Sequence, residues 1–227
     1  MNLNKHSNLK GQHAIFSPSK SSWIRYDREK IIDRIINQYR APLGTEIHEF
    51  SAIQIELNNR VTNIKSLKQS IATFIFTKYQ TKDPSYKEYA IRLINYMGFL
   101  SNDVFETVKQ YINDAIGYKM LPEQVLYYSD EIFGTADTIF FRNNHLRIHD
   151  LKTGENEPDM EQLLVYASIF CLENDINPND ISIELRLYHW SGIIVYEPTI
   201  ADLLPIIDQI KNIANISKEV KEEDNKQ

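Results

Sequence analysis

GTADTIFFRNNHLRIHDLKTG, residues 134–154, reads as a β-hairpin. Two runs rich in β-branched, aromatic and aliphatic residues flank Asn143-Asn144, and Asn tolerates the positive φ that a two-residue hairpin turn demands. With that pair as the loop, Arg142 pairs with His145, Phe141 with Leu146, Ile139 with Ile148 and Asp137 with Asp150. Side chains alternate along a strand, so Asp137, Ile139 and Phe141 share a face with Leu146, Ile148, Asp150 and Lys152. That face is apolar except at one end, where two carboxylates oppose each other at roughly 5 Å between Cβ atoms, with an ammonium two residues on. Like charges directly opposite destabilise a sheet, and beside an apolar core the penalty grows. A divalent cation would reverse the sign, because hard cations take carboxylate oxygens as ligands. A slipped register, or neutralisation by Lys152, would relieve the clash as well, and spacing alone leaves these readings open.

Outward from the hairpin the periodicities change. Ahead of it, Glu123 to Tyr128 alternates as a strand. Behind it, a polar loop from Glu155 to Glu157 leads to a helix opened by Pro158, with Met160, Leu163, Leu164, Ala167, Phe170 and Cys171 as its buried stripe. Gln162 and Tyr166 are i, i+4 neighbours beside that stripe. After a turn at 177–180, Ile181 to Trp190 and Ile193 to Tyr196 read as strands, and a last helix runs from about Thr199 to Val220. Upstream, residues 61–117 read as helical with breaks near Asp83-Pro84 and Gly98, and their many Tyr and Phe read as core. Ser17-Pro18 reads as a helix start, with Ile24, Ile31, Ile32, Ile35 and Ile36 carrying the helix to about Tyr39. Ala41-Pro42-Leu43-Gly44 reads as its break, and a further helix begins near Thr45, bringing His48, Ala52 and Ile55 onto one face. The expected whole is an α/β fold with a mixed central sheet flanked by helices. It comprises an unstructured lead-in (1–16), one domain over 17–217 (helical to about 120, sheet core from about 121) and a charged tail (218–227).

Composition bounds the function. The chain has 227 residues, is 42% hydrophobic and 25% charged, and has no run long enough for a membrane span. The N-terminal MNLNKHSNLKGQH lacks the apolar segment of a signal peptide, so a cytoplasmic location, in a bacterial or phage-infected cell, is expected. The single Cys171 excludes an internal disulfide, a four-Cys zinc site and a Cys-ligated iron–sulfur cluster within one chain. The net charge of −6 is unevenly spread. Residues 1–44 carry eight Lys/Arg against three acids, and the remainder 17 against 28. A basic N-terminal segment can track phosphates or simply be a solvated face.

Four stretches, in order, resemble the RecB-type exonucleases of the PD-(D/E)XK nuclease superfamily, which includes phage exonucleases such as that of lambda. Gly44-Thr45-Glu46-Ile47-His48-Glu49 resembles the helical G-T-x-x-H-E motif. Gly134-Thr135-Ala136-Asp137 resembles G-x-x-D, Asp150-Leu151-Lys152-Thr153-Gly154 resembles D-x-K-T-G, and Gln162 to Tyr166 resembles the Q-x-x-x-Y helix. Each motif alone is weak, but all four in order are fairly specific. The resemblance implies a restriction-endonuclease-like core with an N-terminal helical region. It implies His48, Asp137, Asp150 and the Leu151 backbone carbonyl as ligands of Mg²⁺ or Mn²⁺, and Lys152 as the catalytic lysine. Gln162 and Tyr166 would support the site near the scissile phosphate, and Glu123, on the strand before G-x-x-D, is a looser further ligand. Relatives with four cysteines for an iron–sulfur cluster are a departure this chain cannot follow.

The function this implies is metal-dependent hydrolysis of DNA, most simply as an exonuclease in recombination, repair or phage DNA processing. A structure-selective or restriction-like endonuclease, or a catalytically silent DNA-binding or assembly protein, would use the same fold. No Walker-type loop is present, so a helicase, like a recombinase, would be a separate partner. Strand polarity, substrate strandedness, DNA against RNA, and oligomeric state stay open.

Overall fold

The computed structural model describes His6 and residues 14–80, 84–154 and 157–224. A 3₁₀ segment, Pro18–Arg25, precedes helices α1 (Arg28–Glu56), α2 (Ile64–Gln80), α3 (Pro84–Met97) and α4 (Asn102–Gly117). Strands β1 (Leu121–Ser129), β2 (Ile132–Arg142) and β3 (His145–Lys152) follow, then α5 (Glu161–Glu173), β4 (Ser182–His189), β5 (Gly192–Tyr196) and α6 (Ile200–Asp224). The five strands form one sheet in the order β1-β2-β3-β4-β5. It is mixed: β3 and β4 run parallel, joined through α5, and the other neighbours are antiparallel. The fold is therefore α/β, a mixed sheet flanked by helices, as the periodicities indicate.

The hairpin is in the expected register, with Arg142 opposite His145, Phe141 opposite Leu146 and Ile139 opposite Ile148. Asn143 and Asn144 have φ of 53° and 56°, the left-handed pair that a two-residue turn requires. β3 is central and buried on both faces. Leu146 and Ile148 pack with α5 and α6 on one side, and Leu151 packs among the helices α1 to α4 on the other. Cys171 is buried in the α5–α6 layer, and burial pushes its thiol up to about 11.

Several boundaries differ from the sequence reading. The break expected at 41–44 does not occur, and α1 runs as one helix through Pro42 and Gly44. Pro42 has no N–H, which costs a helix about 3 kcal/mol. The half that follows buries Leu43, Ile47, Phe50 and Ile55, each worth roughly 1.5–3 kcal/mol, so tertiary burial outweighs the local signal. At the other end, Ser17-Pro18 starts only the 3₁₀ segment. The cap of α1 is Asp27, whose Oδ1 accepts from Lys30 N at 2.8 Å. Ile24, Ile31, Ile32 and Ile35 are exposed rather than part of the core. α5 begins at Glu161, where Asp159 Oδ1 accepts the Glu161 N–H, not at Pro158. α6 continues to Asp224, so residues 218–224 of the expected tail are helical. The expected lead-in lies outside the described residues apart from His6 and 14–16, as do residues 155–156 of the expected loop and 225–227.

Candidate functional site

Asp137, Asp150 and Lys152 meet where β2 and β3 part. The paired positions of the hairpin end at Thr138 opposite His149, while β3 keeps pairing with β4 as far as Lys152 opposite His189. The Asp137 carboxylate fills the gap, with Oδ2 accepting the Leu151 backbone N–H at 2.8 Å. The two carboxylates are thus held at the end of the ladder, one of them tied to β3. In a strand the N–H and C=O of one residue leave on the same edge, so the Leu151 carbonyl shares the Asp137 side of β3 with that N–H. Asp150 is 3% exposed. Burial, then the charge of Asp137, raise its carboxyl above the usual range, and Lys152 and His48 oppose that shift.

α1 brings His48 to this point, with Nδ1 3.3 Å from Asp137 Oδ2. Burial alone would lower the imidazole, but the hydrogen bond to Asp137 and the charges of Asp137, Asp150 and Glu123 together raise it. Glu123 lies in register opposite Asp137, between the pairs Pro122–Thr138 and Gln124–Ala136. Its φ is 49°, left-handed for a residue with a full side chain, a state costing roughly 1–2 kcal/mol. Burial of its carboxyl, then the charge of Asp137, raise the Glu123 pKa. Backbone strain and a carboxylate whose pKa is raised by its neighbours at the same residue are features that collect at functional sites. His48, Glu49 and Glu123 line a cleft of about 740 Å³ between α1 and β1.

Lys152 is held from the other side. Its Nζ lies 2.9 Å from Asp150 Oδ2 and donates to Asp150 Oδ1 at 3.3 Å and to Gln162 Oε1 at 2.7 Å. Gln162 Nε2 donates to Tyr166 OH at 3.2 Å, and Tyr166 OH donates to the Thr135 carbonyl at 2.8 Å. The donors all run in one direction, from the ammonium through α5 to β2, which fixes the Gln162 amide orientation. Gln162 and Tyr166 are therefore placed to position Lys152.

The two motif glycines are explained by close approach. A Cβ on Gly44 would stand 2.9 Å from Thr153 Oγ1, and one on Gly134 would stand 2.9 Å from Tyr166 Cε1. Every one of the four stretches thus touches another: 44–49 meets 150–154 and 134–137, and 134–137 meets 162–166.

Among the described residues, no group of three or more His, Cys, Asp or Glu converges ready to hold a metal ion. The chemistry of the donor set nevertheless fits a hard cation. Asp150 Oδ2 is buried and has no hydrogen-bond donor in proper geometry, although the Lys152 ammonium is near. The charge of Asp137 helps raise the carboxyl pKa values of Glu123 and Asp150, and all three carboxylates raise that of His48. A divalent ion would supply the missing positive charge.

A family model described as "Protein of unknown function (DUF2800)" matches residues 13–169. The chain belongs to this DUF2800 family. The matched span of this DUF2800 chain includes all four stretches, from Gly44 to Tyr166, and ends within α5, ahead of β4, β5 and α6. No curated protein and no solved structure matches the DUF2800 chain.

Two features of the site were not legible in the sequence. His189, buried at the end of β4, donates from Nε2 to the Gly154 carbonyl at 3.1 Å, and its Nδ1 lies 2.6 Å from Ser191 Oγ. It pins the end of 150–154 from a strand that only the parallel pairing brings near. Lys78, on α2, bonds Glu46 and Glu49 of α1, and Tyr79 OH donates to Glu46 Oε1 at 2.8 Å. That cluster fixes the helix turn that carries His48. Only a lone lysine on a helix face pointed to it.

Proposed function

We propose that this DUF2800 protein is a metal-dependent DNA nuclease, acting as an exonuclease through the cluster His48, Asp137, Asp150 and Lys152. The observation that supports it is the convergence of the four stretches on one point, where the buried Asp150 carboxylate is ion-paired with a positioned ammonium and His48 lies against Asp137. His48, Asp137, Asp150 and the Leu151 carbonyl would hold Mg²⁺ or Mn²⁺, with Glu123 close by. Such an ion would supply Lewis acidity, to neutralise phosphate charge and acidify water.

The chain's own residues account for the rest. Hydrolysis of a phosphodiester adds water across the P–O bond: the nucleophile's oxygen bonds to phosphorus, and the leaving alkoxide takes up a proton. Lys152, held by Gln162 and Asp150, presents a fixed positive charge to the phosphoryl oxygens, where charge grows in the transition state. Tyr166 keeps Gln162 in the orientation that presents Oε1 to the ammonium. Asp137 ties the site to β3 through the Leu151 N–H, which holds its carboxylate beside Asp150 and Lys152.

The test is incubation with end-labelled linear DNA and with closed circular DNA in Mg²⁺, Mn²⁺ or EDTA. Metal-dependent loss of linear DNA alone is the expected result. Nicking or cutting of circles would assign an endonuclease, and no cutting with either metal would overturn the reading.

A further inference from the structure

A second cleft, of about 560 Å³, opens on the far side of Gly154. Tyr96, Phe99, Trp190, Arg40 and Thr153 are among its walls, and Asp33 supplies an acid. Phe99 is 74% exposed and Trp190 42% exposed, although both are large aromatic side chains. The backbone that carries each is hydrogen-bonded in place. Phe99 sits in the α3–α4 turn, where its N–H bonds the Tyr96 carbonyl at 2.9 Å and its ring lies 6.2 Å from that of Tyr96. Trp190 follows His189, whose ring is 5.1 Å away and whose Nε2 bonds the Gly154 carbonyl at 3.1 Å. Thr107 Oγ1 fixes the His189 carbonyl at 3.3 Å. Among the described residues, a Cβ added to Gly154 would meet nothing within 4 Å.

Position gives the cleft its meaning. Gly154 also borders the adjoining cleft of about 520 Å³ that contains Lys152 and Gln162. Lys152 and Gly154 are two residues apart, at most roughly 7 Å of chain, a span comparable with one nucleotide step. Exposed aromatic faces stack bases without regard to sequence, because every base has a π-face, and a base inside a duplex is not available to them.

We propose that this cleft takes one unpaired nucleobase, next to the phosphate held at Lys152, so that the substrate is a single strand or a frayed end. The proposal rests on the nuclease reading above, and its test separates the two. With Trp23→Phe in the full chain, Trp190 is the sole indole, and a short oligothymidylate in EDTA is added while its fluorescence is followed. Saturable quenching is expected. A fluorescein-labelled copy of the oligonucleotide should bind Phe99→Ala and Trp190→Ala roughly five- to 150-fold more weakly than the parent, the scale of one base–aromatic stack. Trp190→Phe should keep most of the affinity, and one abasic position in the oligonucleotide should reproduce the loss. Because Phe99 is exposed, Phe99→Ala has little core to disturb, and its circular dichroism confirms that it is folded. Absence of quenching, or unchanged affinity in both alanine variants, would overturn the proposal. Quenching by DNA with no cleavage in either metal would retain the base cleft and remove the nuclease. Cleavage at unchanged KM by both alanine variants would retain the nuclease and remove the cleft.

Discussion

Gly44→Ala tests whether α1 and the 150–154 stretch interlock as described. Two effects of opposite sign act on this substitution. Within a helix, Ala is better than Gly by about 1 kcal/mol. Against that, the new Cβ would stand 2.9 Å from Thr153 Oγ1, with no other neighbour within 4 Å. Ordinary van der Waals separation begins near 3.4 Å, so the overlap is about half an ångström, and overpacking of that kind costs roughly 1–3 kcal/mol. The net expectation in the parent protein is a change between nil and about 2 kcal/mol of destabilisation. In a Thr153→Ala background the opposing atom is gone, and the same Gly44→Ala should stabilise by up to about 1 kcal/mol. The double-mutant cycle, read from urea midpoints at constant m, should therefore give a coupling of roughly 1–3 kcal/mol with a change of sign. If Gly44→Ala stabilises equally in both backgrounds, Gly44 and Thr153 do not touch and the interlock is wrong. Under the proposed function, the parent-background variant should also lower cleavage, since Thr153 follows Lys152, while Thr153→Ala restores part of it.

Lys152→Ala should stay folded and bind DNA, yet lose about 10²-fold or more in single-turnover cleavage; a loss that merely follows melting temperature would make Lys152 structural. Glu123→Gly should raise the melting temperature without metal, by removing both a left-handed side-chain residue and a carboxylate opposite Asp137, and should weaken Mn²⁺ binding in calorimetry. Stability should also carry an acid limb from Glu184. Burial opposes ionisation there, but hydrogen bonds from Arg147 and Arg186 outweigh it and hold the carboxyl at about 2. A depressed carboxylate stabilises above its unfolded pKa, so the melting-temperature gap between parent and Glu184→Gln should be full above about pH 4.5 and close as pH approaches 2. Neutralising the exposed Arg25, Arg28 and Arg34 together should flatten log affinity against log salt, by about 0.7 on a single strand and about 0.9 on duplex DNA for each phosphate that the arginines had neutralised; an unchanged slope assigns them to a solvated surface.

Local chemistry carried most of what was legible. The Asn143-Asn144 turn fixed its own register as far as Thr138 opposite His149; the expected pairing of Asp137 with Asp150 does not form, because Asp137 Oδ2 takes the Leu151 N–H where the two strands part. Gln162 and Tyr166 were readable as i, i+4 neighbours, and they are bonded to each other. Pro42 was misleading because helix-breaking is a local tendency, whereas the burial of Leu43, Ile47 and Phe50 depends on helices far along the chain. His189, Lys78 and the Phe99–Trp190 cleft were silent for the same reason, since each depends on pairing or packing between segments distant in sequence. His149 is a further case. It is a buried imidazole without a hydrogen-bond partner, held down to about 3 by burial and by Arg186 and Arg147. No periodicity separates it from Asp150 beside it, but it faces the opposite layer, against Tyr118 and Tyr188.

The unbroken passage of α1 through Pro42 gives the chain a phase rule. Arg34 and His48 sit on one helix, 14 residues apart in number, hence about 21 Å along its axis and within roughly 40° of the same side. One residue inserted between Arg34 and the buried Leu43 would swing Arg34 by about 100° relative to His48, while seven would return it to within about 20° at roughly 10 Å greater reach. Changes of length in this arm are therefore interchangeable only in near-whole turns, and a single-residue deletion there should be felt as a rotation long before it is felt as a loss of stability.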